Sequence, residues 1–287
     1  MLSFSYNFLR TLGRTVPVCP KPKPVGLENI PKNGPIIYVY NHTTRRGEPI
    51  HLGVAAPNTP KIRFLAEVTI AAKKYLPILR KDVEDSIFPA GFREKIRRRR
   101  WAELFYNKLI DFLARYIIAQ VNRLDTIVVN LQEPDTEEER LEKQRTNKQA
   151  LKKCIESLEN NIPIAIAPSG GKTHEGIENP VYQTIVPSLA SMFFKRGKAV
   201  KIVPCVVKER PAIDKKIFWC YLADRIFIYR AITWVLNLLK IKSYKKYCLT
   251  VEFLPPLTFE NARPSKPEKI EFVKNLQQLI YSTLREK

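Results

Sequence analysis

Short apolar runs rich in β-branched and aromatic residues recur along this chain, and longer stretches with helical periodicity separate them. The runs cover residues 36–40, 61–66, 125–130, 163–167, 200–207 and 247–254. A run that stays apolar without alternating is the mark of a strand buried on both faces, and such strands occur where helices cover a sheet on both sides. Strands alternating with helices predict an α/β fold. The expectation is a single domain with a mixed, mostly parallel sheet, flanked by helices on both faces and preceded by an N-terminal amphipathic helix. With 287 residues the chain can bury a full core.

The connecting segments carry their own signals. Residues 1–14 place Phe4, Phe8, Leu9 and Leu12 on one side of a helix. That stripe serves equally to dock on the chain's own domain or to lie on a membrane surface. Cys19-Pro20-Lys21-Pro22-Lys23-Pro24 reads as a stiff, extended connector. The chain therefore divides into an N-terminal helix and connector, 1–24, and an α/β domain, 25–287. A short helix is expected near residues 70–75, ended or bent by Pro77. From 93 to 123 the pattern is helical, with Leu104, Leu109, Phe112, Leu113, Tyr116 and Ile117 recurring at three- and four-residue spacings. Thr136 with Glu139 and Ser265 with Glu268 have capping-box spacing, starting a charged helix to about 158 and a last amphipathic helix. Another helix is expected over 184–196.

Charge narrows the partners. Lys and Arg number 49 against 28 Asp and Glu, a net charge of +21, which favours nucleic acid, an anionic membrane surface or an acidic protein. No zinc-finger or RNA-recognition pattern accompanies that charge, so no nucleic-acid partner is expected. Five scattered cysteines without a Cys-x-x-Cys, and three histidines without ligand spacing, predict neither a disulfide framework nor a metal site. They fit a reducing, cytoplasmic compartment. The most apolar stretch, 217–241, is broken by Asp224, Arg225 and Arg230, which argues against a membrane span.

Two strand ends carry the chemistry. Asn41-His42 follows the run 36–40, and Pro168-Ser169-Gly170-Gly171-Lys172-Thr173-His174 follows the run 163–167. The carboxyl ends of strands are where open α/β sheets bind ligands. His42 can take a proton from a hydroxyl if a carboxylate holds its ring, and Glu48 is the nearby candidate. The alternative is a loop histidine with no chemical role. Adjacent glycines let backbone N–H groups converge on an anion, to which Ser169 adds a hydroxyl and Lys172 a charge. The alternative is a plain turn. A P-loop is excluded by spacing, because its first glycine would fall at Ile166.

Taken together, these blocks resemble the glycerolipid acyltransferase family, which includes glycerol-3-phosphate and lysophosphatidic acid acyltransferases. That family carries Asn-His-x4-Asp in its first block. Its plastid-type members carry Pro-Ser-Gly-Gly-Arg-x-Arg in the third, to which residues 168–174 are similar, with Lys172 and His174 at the basic positions. Looser matches are 27–34 before the first strand, 64–67 with Pro77, and Ile202-Val203-Pro204, so the resemblance spans about residues 25–210. Two departures stand out. Gly47 occupies the family's aspartate position and Glu48-Pro49 is displaced by one residue. The second-block phosphate ligands are missing, and Val129-Asn130-Leu131-Gln132-Glu133 stands in their place.

The resemblance implies direct acyl transfer from acyl-CoA or acyl carrier protein (acyl-ACP) to a hydroxyl, without a covalent enzyme intermediate and without a metal or redox cofactor. His42 would be the base and Glu48 its partner. Ser169, Gly170, Gly171, Lys172 and His174 would hold the acceptor's phosphate. The departures leave open a non-catalytic lipid- or acyl-carrier-binding chain, or a non-glycerolipid hydroxyl as acceptor. Arg93, Lys95 and the run 97–100, with Lys240–Lys246 and the aromatic segment containing Trp219, Tyr229 and Trp234, are candidates for an anionic membrane or an acidic carrier protein. Each of these is equally readable as a solvated helix face or core. The expected location is the cytoplasmic face of a membrane, peripherally bound.

Overall fold

The computed structural model describes residues 22–42, 48–56, 61–87, 100–123, 125–168, 184–210 and 248–285. The strands in chain order are β1 (Lys23–Val25), β2 (Ile36–Tyr40), β3 (Arg63–Glu67), β4 (Ile127–Val129), β5 (Ile164–Ile166), β6 (Lys201–Arg210) and β7 (Cys248–Phe253). The helices are α1 (Glu48–Ala55), α2 (Val68–Ala71), α3 (Leu76–Ile87), α4 (Arg100–Arg123), α5 (Glu137–Glu159), α6 (Ile185–Phe194) and α7 (Lys266–Arg285).

The strands form one seven-stranded sheet in the order β1-β7-β6-β2-β5-β3-β4. Every pairing among them is parallel except β6 with β7. The expected mixed, mostly parallel α/β architecture is therefore what forms. All five residues of β2 are buried, because β2 is flanked by β5 and β6 and covered on both faces. Ile37 and Val39 join a cluster with Cys154 and Leu158 of α5, Leu189 and Phe193 of α6, and Leu276 and Ile280 of α7. On the other face Ile36, Tyr38 and Tyr40 pack with Leu52 and Ala55 of α1. Strand period two sends alternate residues to opposite faces, and here both faces have apolar partners.

Three local outcomes differ from the sequence pattern or sharpen it. Pro77 does not end a helix; it sits in the first turn of α3, where its missing N–H would have had no helical acceptor. The end of the proline connector is already in the sheet, since Lys23–Val25 pairs with Thr250–Glu252. Pro24 is tolerated because β1 is an edge strand. Gly26 follows at φ 71°, and a Cβ there would lie 2.2 Å from the Phe253 carbonyl oxygen.

The Ser265 capping box closes in both directions. At Thr136 only half of it forms, because the Glu139 carboxylate accepts from the Asp135 N–H, one residue before the cap, at 2.8 Å. Thr136 Oγ1 accepts from the Glu139 N–H at 3.2 Å. Ser265 N–H donates to the Glu268 carboxylate at 2.6 Å.

The helical hairpin α3–α4 stands apart. Leu79, Val83, Tyr106, Ile110, Ala114 and Ile118 make a third core that contains no residue of the sheet. The hairpin leaves the sheet after β3, and Asn122 ties its far end back by donating to the Ala71 carbonyl at 3.1 Å.

Candidate functional site

The sheet order decides what the two strand-end motifs can do together. β2 and β5 are adjacent and parallel, with Val39 paired to Ile166. Asn41 and Pro168 each lie two residues beyond that pair, so both motifs begin on the same edge of the sheet, side by side. The chain passes from β5 on one side of β2 to β6 on the other. Connections that diverge around a strand open a crevice at its carboxyl end, the usual ligand position in such sheets.

Asn41 closes the end of β2. It is 1% exposed. Its side-chain Oδ1 accepts from the Val207 N–H at 2.7 Å, and its Nδ2 donates to the Val207 carbonyl at 3.1 Å. The amide thus extends the β2–β6 ladder past the last backbone pair, Tyr40 with Cys205. An asparagine offers both a donor and an acceptor for this, which an aspartate does not.

His42 comes next in the chain and is half-buried. Its ring meets Tyr40 edge-on, with centroids 6.4 Å apart and planes at 63°. Tyr40 belongs to the cluster that α1 covers through Leu52 and Ala55. His42 and α1 therefore share one face of the sheet, and Glu48 is the first residue of α1. A carboxylate at a helix start is favoured by the helix dipole. The side chain of Glu48 lies outside the described residues, as do Thr43 to Gly47. So do Ser169, Gly170, Gly171, Lys172 and His174; of that motif the structure describes Pro168, which is buried at the end of β5. The basic run 93–100 and the segment 211–247 also fall outside, apart from Arg100, whose backbone opens α4.

The place of the missing second-block ligands is described. Residues 130–133 leave β4 on the same edge of the sheet, and their polar groups hold the loop itself. Asn130 N–H donates to Asn147 Oδ1 at 2.8 Å, and Asn147 Nδ2 returns to the Asn130 carbonyl at 3.0 Å. Gln132 N–H donates to Asn130 Oδ1 at 3.0 Å, and the Gln132 side chain donates to Glu67. Lys143 Nζ donates to the Gln132 carbonyl at 2.7 Å. Glu67 and Gln132 are close because β3 and β4 are neighbours, a pairing across 65 residues that no local pattern carried.

Two other chemistries have little support among the described residues. Cys154 and Cys205 are buried, and burial pushes the Cys154 thiol up to about 12 and the Cys205 thiol well above its ordinary value. Neither is a thiolate nucleophile near neutral pH. Among the described residues no group of three His, Cys, Asp or Glu side chains is placed to hold a metal ion. No described helix is long and apolar enough to cross a membrane.

The sequence matches no protein-family model and no curated protein. Among solved structures the chain is similar to the 1-acyl-sn-glycerophosphate (LPA) acyltransferase PlsC from Thermotoga maritima, with a TM-score of 0.44 and 16% identity. That similarity covers 98% of this chain and 81% of the other. It is a loose likeness.

Proposed function

We propose that this chain is a peripheral membrane acyltransferase, moving a fatty acyl group from acyl-CoA or acyl-ACP to a hydroxyl of a glycerophosphate or lysophospholipid. The observation that carries the reading is the juxtaposition of Asn41-His42 and Pro168 on adjacent strands at one sheet edge. A base at His42 and an anion-binding turn after Pro168 would then work from the same sheet edge, and both motifs resemble their counterparts in the glycerolipid acyltransferases.

In this mechanism His42 takes the proton of the acceptor hydroxyl as the oxygen attacks the thioester carbonyl. The C–O bond forms, the C–S bond breaks, and the imidazolium returns its proton to the leaving thiolate. Glu48, at the start of α1 on His42's side of the sheet, holds the ring; its extra methylene over aspartate, next to the flexible Gly47, compensates for the one-residue displacement. Backbone N–H groups of Gly170 and Gly171, with Ser169, Lys172 and His174, bind the acceptor's phosphate and fix its hydroxyl beside the base. The loop 130–133, occupied with its own bonds, leaves the phosphate to that turn, which weakens the case for glycerol 3-phosphate as the acceptor.

Mass spectrometry of acyl transfer tests this. Wild type and His42→Ala would be given acyl-CoA or acyl-ACP with glycerol 3-phosphate, lysophosphatidic acid and a polar lipid extract. The expected result is acylated product from wild type and a loss of at least about a hundredfold in the variant. Product formation unchanged in a folded His42→Ala overturns the assignment. No product from wild type with any acceptor points instead to a non-catalytic lipid- or carrier-binding chain.

A further inference from the structure

Helix α4 is apolar on two opposite sides. The inner side, with Tyr106, Ile110, Ala114 and Ile118, is buried against α3. On the outer side Leu104 is 59% exposed, Phe105 70%, Phe112 63% and Tyr116 51%. Phe105, Phe112 and Tyr116 recur at seven- and four-residue spacings, which puts them on one stripe. Phe112 and Tyr116 stack on each other, 6.2 Å between centroids and 22° between planes. Ile78 of α3 is a further exposed apolar residue on the same hairpin.

Lys108 stands exposed one turn from Phe105 and from Phe112, and Arg115 is exposed beside Tyr116, paired with Asp111 at 2.6 Å. Four arginines, 97–100, run into the start of the helix.

From this we infer that the outer face of α4 is the surface by which the chain lies on an anionic lipid bilayer, with the aromatic rings in the interface and the cations among the headgroups. Single exposed apolar residues are ordinary on a water-facing helix, but an aligned aromatic stripe interleaved with Lys and Arg fits an interfacial one, where aliphatic stems are buried and charges reach phosphate. Arg115 is held by Asp111, and the exposed Lys108 is complemented by anionic headgroups better than by a second copy of the same cation-bearing face. The hairpin suits the task because its core is its own. It can load against a bilayer without disturbing the packing of the sheet, and it leaves the sheet on the edge that carries His42. The inference rests on the reading of the chain as an enzyme that works at a lipid surface.

Vesicle sedimentation of the full chain tests it. Phosphatidylcholine vesicles with and without phosphatidylglycerol would be compared for wild type, the triple variant Phe105→Ser, Phe112→Ser, Tyr116→Ser, and the double variant Lys108→Glu, Arg115→Glu. Circular dichroism would establish that each variant is folded. Wild type is expected to bind the vesicles containing phosphatidylglycerol more tightly, and the triple variant to lose about tenfold or more. The double variant should lose most of the preference for phosphatidylglycerol.

Transfer to a water-soluble, short-chain lysophosphatidic acid would be measured in parallel, in the absence of vesicles, and should survive both sets of changes. His42→Ala should keep wild-type vesicle binding. Wild-type vesicle binding by the folded triple variant overturns the inference. So does a wild-type dimer that the triple variant splits, since the face would then join two copies. If His42→Ala retains transfer while the α4 variants lose vesicle binding, the catalytic reading fails and the membrane face stands.

Discussion

Asn41 shows how much a single side chain does at a strand end. Its amide replaces the next backbone pair between β2 and β6, and both of its bonds are buried. Asn41→Ala would strand the Val207 N–H and carbonyl without partners in a dry place. The expected cost is about 1–3 kcal/mol in urea unfolding; under the proposed function, acyl transfer should fall by a larger fraction than folded protein, because His42 is the next residue. Equal losses would mean that Asn41 serves stability alone. His42 was legible in the sequence as a polar residue at the end of an apolar run. The role of Asn41 was not, because its partner lies 166 residues away.

At the scale of elements, local rules worked where both partners were local. The box at Ser265 forms as its spacing predicts, and at Thr136 the cap bond forms while the Glu139 carboxylate reaches one residue further back, to Asp135. Pro77 lies in the first turn of a helix where the pattern suggested an end or a bend, because spacing alone does not say whether a proline closes one helix or starts the next. The spacing of Leu104, Phe112 and Tyr116 reads as helical, and the helix forms, but periodicity alone could not tell the inner stripe from the outer one.

Asp125 joins elements at the opposite, amino end of the sheet. It accepts from Lys61 and from Arg63, each at 2.9 Å, while Arg63 also donates to Ser157 of α5 at 2.8 Å. Burial raises the Asp125 carboxyl's pKa, and the Lys61 hydrogen bond with the charges of Arg63 and Lys61 outweighs it, leaving the group below the usual aspartate range. A depressed folded pKa gives stability that is present above the unfolded value, about 3.9, and lost as pH falls through the folded one. Asp125→Asn should therefore cost about 1–3 kcal/mol at neutral pH, and the difference from wild type should shrink below pH of about 4. A constant difference in unfolding midpoints between neutral and acid pH would show that the pair does not carry the effect.

Over the whole molecule, the net charge of +21 acts as a field rather than as contacts. Its reach is set by ionic strength, with a screening length falling from about 30 Å at 0.01 M to about 8 Å at 0.15 M. Binding of the full chain to anionic vesicles should therefore weaken several-fold over that range, while binding to neutral vesicles changes little. Affinity for anionic vesicles that is indifferent to salt would mean the aromatic face carries the attachment without the charge.

By itself the sequence determined the class of fold, the ends of most elements and the two strand-end motifs, because those depend on periodicity, turn chemistry and capping within a few residues. The order of the strands was decided only in three dimensions. That order sets β2 beside both β5 and β6, brings Asn41-His42 and Pro168 to one edge, and puts Glu67 next to Gln132. The inner and outer stripes of α4 were separated the same way. Both outcomes depend on which apolar surfaces meet, and a contact between residues far apart in the chain leaves no spacing in the sequence to read.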